Sequence, residues 1–152
     1  MRATKGAVNV AVLVLRVAVG GMLLVAGGLK IGHSVELAAA LAGFRLLPAQ
    51  IVGPLALALP VFEVLLGAYL IAGLFTRIVA AIACVQFVVY AAAIASAVAR
   101  HISANCGCFG PADTAVADWP HVALDLALAI AAAFIAYGAP GAIALDRRLR
   151  PS

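Results

Sequence analysis

The chain has 152 residues, of which 66% are hydrophobic and only 11% charged, against roughly 45–50% apolar and about 25% charged in an ordinary soluble domain. Six acids and ten bases cannot cover the outside of one water-soluble globule of this length, so a soluble fold is excluded and the bilayer must be the solvent. The formal charge of +4 does not point to nucleic acid, because the bases gather at the ends of apolar segments, where lipid headgroups account for them.

Four apolar segments follow in chain order, at about Val8 to Leu29, Ile51 to Phe75, Ile78 to Ala99 and His121 to Gly138. Each is near the roughly 20 residues that a helix needs to cross about 30 Å of hydrocarbon. The expected fold is an all-α, integral membrane four-helix bundle, a single transmembrane domain over residues 1–152. Arg16 interrupts the first segment at a cost of roughly 2.5–3.5 kcal/mol, which the surrounding valines and leucines outweigh. Only Leu74 to Arg77 separate the second and third segments, so a tight antiparallel hairpin is expected.

The distribution of bases sets the expected topology. With the amino terminus inside, Arg2, Lys5, Arg77, Arg147, Arg148 and Arg150 are cytoplasmic, and Lys30, Arg45 and Arg100 lie outside. Both termini are then cytoplasmic, and the loops Lys30 to Gln50 and Arg100 to Pro120 face away from the cytoplasm. A cleaved signal peptide over residues 1–29 is disfavoured by Arg16 and by the lack of a small-x-small site. Within the first loop, Ser34 to Leu47 has helix-compatible composition, with Ser34 as cap, Pro48 as stop, and Val35, Ala38, Leu41, Ala42 and Leu46 on one face. The natural reading is a short interfacial helix over the mouth of the bundle, with a plain return loop as the alternative. The tail from Asp146 onward reads as a solvated basic end.

The third loop carries the most pointed chemistry, Asn105-Cys106-Gly107-Cys108-Phe109-Gly110-Pro111. A bridge between Cys106 and Cys108 would close a very small ring, and forced disulfide geometry makes such a bond easy to reduce. It would restrain almost none of the unfolded chain, so it is an exchanger rather than a staple. Two other readings stand beside this one: incidental or structural thiols in a membrane scaffold or small transporter subunit, and a metal loop recruiting His101 and His121, whose spacing matches no zinc module. No metal site is assigned. Cys84, inside the third span, reads as packing.

Ionisable groups inside the spans form a second signal, because lipid makes them expensive. Counted inward from the expected outer ends, Arg16 lies 13 residues from Leu29 and Glu63 lies 12 from Ile51. Equal depth predicts a structural intramembrane ion pair between Arg16 and Glu63, with substrate or proton handling as the other reading. Asp125, one turn below His121, is placed to take a proton released at the thiols, with a carboxylate favoured by the start of the helix as the other reading. Lys30, Arg100 and His101 are on the same face and would favour a thiolate, with snorkelling headgroup anchors as the other reading of Lys30 and Arg100. Gln86 and Tyr90, one turn apart, can hydrogen-bond another helix or meet a polar headgroup such as a quinone.

The run Cys106-Gly107-Cys108-Phe109-Gly110, with Arg16 in the first span, Gly27 to Lys30 at its exit, Leu46-Leu47-Pro48 and Glu63, resembles the methylamine utilization protein MauE family within the wider DoxX-like group. The resemblance implies an integral membrane protein that assists an extracytoplasmic thioredoxin-like partner in disulfide formation, notably in maturing the disulfide-rich small subunit of methylamine dehydrogenase. Quinone-linked membrane thiol oxidases are similar in outline but use a C-x-x-C pair. The mechanism expected here is a membrane thiol–disulfide oxidoreductase in which Cys106 attacks and Cys108 resolves, with quinone as an open cofactor and the oligomeric state unassigned.

Overall fold

The computed structural model describes residues 2–103, 116–139 and 141–146, with side chains from residue 6 onward. It has five helices and, among the described residues, no strand: α1 (Arg2–Lys30), α2 (Ser34–Gly43), α3 (Ala49–Ala72), α4 (Thr76–Ala99) and α5 (Trp119–Gly138). Four are long and apolar enough to cross a membrane, over Gly6–Lys30, Ala49–Ala72, Thr76–Ala99 and Trp119–Gly138. Their outward residues are large and apolar, such as Leu57, Val85 and Ile130, as lipid-facing surfaces require.

Helices α1 and α3 run antiparallel in close contact because glycines remove the side chains between them. A Cβ on Gly20 would lie 2.9 Å from the Gly67 carbonyl oxygen, and one on Gly27 would lie 2.7 Å from that of Pro60. Small residues at such crossings let backbones approach, the main source of helix affinity in lipid. The two contacts fix the register: seven residues forward on α1 correspond to seven back on α3. The end of α1 at Lys30 is therefore level with residues near 57, and the first two turns of α3 extend beyond it. Helix α2 packs against this overhang.

Helix α4 packs mainly on α5, around Ala80, Ala83, Phe87, Ala129, Ala132 and Ile135. Cys84 is partly buried against this core, in the packing role expected of it. The link between α3 and α4 is as short as expected, with α3 ending at Ala72 and α4 starting at Thr76. Gly73, at φ +70°, closes α3 with hydrogen bonds from its own amide to Leu70 O and from the Leu74 amide to Tyr69 O, the paired bonds of a Schellman motif. The two helices then make few contacts with each other. A short turn sets adjacency at one end only, and each helix takes its main partner elsewhere.

Arg16 is fully buried at this turn end of the bundle. Its Nε donates to Leu70 O at 2.9 Å, Nη2 to Ile71 O at 3.0 Å and Nη1 to Ala142 O at 3.3 Å. The guanidinium thus gives Ile71 O a donor at the end of α3 and Leu70 O a second one beside the Gly73 amide, where a cation also suits the helix dipole. Asp146 completes the arrangement by accepting from the amides of Phe75 at 2.7 Å and Thr76 at 2.8 Å. The expected solvated tail is corrected at its first residue: Asp146 caps α4, while Arg147 to Ser152 lie outside the described residues.

Burial works against ionisation of Asp146, but the amides of Thr76 and Phe75 and the nearby Arg16 outweigh it and hold this carboxyl below its usual range. A depressed value means that its contribution is present above the ordinary carboxylate pKa of about 4 and is lost as pH falls through the lowered value. Asp146→Ala should cost about 1 kcal/mol, the usual worth of an N-cap. Hydrogen exchange at the Phe75 and Thr76 amides should accelerate in the variant at neutral pH, and the difference from the parent chain should vanish in acid.

Two details of α2 differ from expectation. The cap position is His33, without a side-chain cap bond, and Ser34 is the first helical residue. The inward residues are Leu37 and Phe44, whereas Val35 is 78% exposed. The helix ends at Gly43, and the Phe44 carbonyl just beyond it accepts from Arg100 Nη2, at the end of α4, at 2.6 Å.

Candidate functional site

At the α2 end of the bundle a buried polar cluster forms around Glu63. Lys30 Nζ lies 2.9 and 2.8 Å from the two carboxylate oxygens, with the lysine side chain 4% and the glutamate 1% exposed. From α4, the Tyr90 hydroxyl donates to Glu63 Oε1 at 2.7 Å, and Gln86 Nε2 donates to the same oxygen at 3.3 Å and to the Tyr90 oxygen at 2.8 Å. A carboxylate only accepts, so these bonds orient the glutamine with its NH₂ inward. One ion pair and two further hydrogen bonds thus tie α1, α3 and α4 together where α3 and α4 diverge, and the Gln86–Tyr90 bond within α4 braces them.

The expected Arg16–Glu63 pair is corrected here. Glu63 pairs with Lys30, and Arg16 serves the carbonyls of Leu70, Ile71 and Ala142 near the other end. Two physical facts produce the difference. Counting from aligned helix ends ignored the overhang of α3, which the glycine contacts set. In addition, helical side chains lean toward their own amino terminus, so in this antiparallel pair Lys30 and Glu63 lean toward each other while Arg16 and Glu63 lean apart. Lys30, expected beside the thiols, is committed to the bundle interior.

Beside the cluster, the divergence of α3 and α4 leaves a cavity of about 440 Å³, within the range of ordinary small-molecule sites. Leu37 and Phe44 line it from the α2 side, Leu59 and Phe62 from α3, and Val85 and Val89 from α4. Val85, Val89 and Phe62 are also exposed on the outer surface, so the opening between α3 and α4 faces the hydrocarbon side. Lys30, Glu63, Gln86, Tyr90 and Asp125 provide its polar wall. Asp125 and Gln86 are 8% and 7% exposed, yet Asp125 Oδ2 and Gln86 Oε1 have no hydrogen-bond partner.

The histidines fall elsewhere. The His121 ring contacts Asp118, which caps α5 through the His121 amide at 3.1 Å. Hydrogen bonds from the His121 ring and amide hold the exposed Asp118 carboxyl below its usual range. His101 ends α4 in the left-handed region at φ +53°, and the amides of His101 and Ile102 bond back to Val98 O and Ala97 O. Ile102 and Ala117, the flanks of the cysteine segment, pack with Phe44, Ala91, Ile94, Ala97 and Val122. Phe44 and Ile94 also line the cavity. Cys106 and Cys108 themselves lie outside the described residues.

Lys30, Glu63, Tyr90 and Asp125 stand out in the sequence, but their convergence does not. The available signal was the lean of Lys30 and Glu63 toward each other, together with Gln86 and Tyr90 one turn apart on a facing helix.

Four apolar helices, a glycine-tight α1–α3 contact and a polar cluster buried beside a laterally open cavity define a multi-pass membrane protein. A family model for the methylamine utilisation protein MauE matches residues 8–138, and the chain belongs to that family. No curated protein and no solved structure matches it.

Proposed function

We propose that this chain is a membrane thiol–disulfide redox protein. Its Cys106–Cys108 pair cycles between disulfide and dithiol by exchange with an extracytoplasmic thioredoxin-like partner, in support of methylamine dehydrogenase maturation. In the direction that oxidises the partner, a thiolate of the reduced partner attacks the Cys106–Cys108 bond and forms a mixed disulfide. The partner's second thiol resolves it, leaving an oxidised partner and a reduced C-x-C pair, so two electrons and two protons have moved. In the reverse direction, Cys106 attacks and Cys108 resolves. The observation that carries this reading is the Cys-Gly-Cys run in a chain that belongs to the MauE family. The excess of lysine and arginine on the opposite side supports a loop that faces away from the cytoplasm.

A Cys108→Ala variant tests it, because Cys106 then has no resolving neighbour. The expected result is a mixed disulfide between Cys106 and a thioredoxin-fold protein, identified by mass spectrometry and absent from a Cys106→Ser/Cys108→Ser variant. Membrane-impermeant maleimide should label the pair from outside only after reduction. Full complementation of a deletion strain by the double-serine variant, or labelling only from the cytoplasmic side, overturns the proposal.

A further inference from the structure

We infer that the cavity between α3 and α4 is a binding site for a lipid-soluble quinone and its quinol, with the ring at the Gln86–Asp125 wall and the isoprenoid tail leaving between the two helices. Three observations lead there. The lining is apolar apart from one wall, which suits an amphiphile with a compact polar head. The opening lies beside Phe62, Val85 and Val89, which are exposed on the outer face of the bundle, so a ligand enters from the hydrocarbon without crossing water. Finally, two side chains more than nine-tenths buried present acceptor oxygens without partners, Gln86 Oε1 and Asp125 Oδ2.

Those oxygens decide the ligand chemistry. An unmade hydrogen bond at a buried polar atom is costly, and what these two lack is a donor. The cation in the wall, Lys30, is engaged by both oxygens of Glu63, so a phosphate headgroup would find acceptors facing it. A quinol brings two hydroxyl donors to the waiting oxygens, and its ring and tail fill the apolar remainder. A quinone in the same place only accepts, so the site holds the reduced form more tightly. A tenfold preference corresponds to about 1.4 kcal/mol, and it raises the two-electron potential of the bound couple by about 30 mV.

Binding stands on the cavity alone; electron transfer into it rests on the proposed thiol role. The balance for that step is complete. The dithiol of Cys106 and Cys108 gives two electrons and two protons, one S–S bond forms, and the quinone takes both electrons and both protons to become quinol.

The test uses the full chain in phosphatidylcholine nanodiscs under anaerobic conditions, with a photoreactive azidoquinone displaced by decylubiquinone or decylubiquinol. Crosslinks should map to α3 and α4 around the cavity, and the quinol should displace the probe at about tenfold lower concentration than the quinone. Asp125→Ala removes one of the two acceptors and should cut that preference to about threefold, with Gln86 Oε1 keeping the remainder, and Leu59→Trp should remove both ligands by filling the cavity. Circular dichroism and melting in detergent check that each variant is folded. Crosslinks elsewhere, equal displacement by phosphatidylglycerol or phosphatidylethanolamine, or retention of binding in a folded Leu59→Trp protein overturns the site. If decylubiquinone binds but a pre-reduced chain forms no quinol, the site stands and the electron transfer from the thiols into it fails; the thiol role itself stands or falls with the Cys108→Ala trap.

Discussion

Replacing Glu63 with leucine should cost about 3–5 kcal/mol, because removing one partner of a buried ion pair leaves the other charge uncompensated. Lys30 has nowhere else to go: its side chain is 4% exposed and its Nζ bonds are to the two oxygens of Glu63. Lys30→Met should cost a similar amount for the mirrored reason, with the Glu63 carboxylate left to Tyr90 and Gln86. The double variant Lys30→Met/Glu63→Leu should recover most of the loss, since two apolar side chains of similar volume often replace a buried pair at little cost. Reversible unfolding in mixed detergent micelles, followed by far-ultraviolet circular dichroism, measures all three. Equal and additive losses in the two single variants would show that the pair does not hold the bundle together.

The physical origin of this cluster also shows what a sequence can and cannot disclose. The four spans were legible because a bilayer crossing needs a long apolar run and little else, and the observed helices reproduce the four expected runs to within a few residues. The short link between α3 and α4 was equally plain, because Gly73 and the residues around it leave no room for more than a turn. Pairing was not legible. Hydropathy carries no information about which span leans on which, and the decisive contacts come from single glycines, Gly20 on Gly67 and Gly27 on Pro60, whose meaning depends on the partner they meet. Once that register is known, Lys30 falls beside Glu63 and Arg16 falls beside the end of α3. The cavity was likewise hidden, for it exists because two helices adjacent in sequence prefer other neighbours. Asp146 was misread because a carboxylate before a basic run looks like tail, and only the bonds to Phe75 and Thr76 reveal it as a cap.

Arg16→Leu should be as damaging as the loss of Glu63, and the two should be independent. The guanidinium donates through three nitrogens to three main-chain carbonyls, at Leu70, Ile71 and Ala142; without it Leu70 O keeps the Gly73 amide, while Ile71 O and Ala142 O lose this donor, and each buried acceptor left without a partner costs about 1–3 kcal/mol. A loss of about 3–5 kcal/mol is expected, with accelerated hydrogen exchange across Gly73 to Thr76 as its local signature. Arg16→Lys should restore less than half, because a single ammonium cannot reproduce the planar fork of donors. Glu63 lies about two turns, or about 10 Å, along α3 from Leu70 and Ile71, and groups that far apart with no shared partner usually add within about 0.5 kcal/mol. A double-mutant cycle between Arg16→Leu and Glu63→Leu should therefore return no coupling, while the cycle between Lys30→Met and Glu63→Leu returns several kcal/mol. The opposite ranking would restore the pairing that counting from the helix ends suggested, and would mean that the glycine contacts do not set the register of α1 on α3.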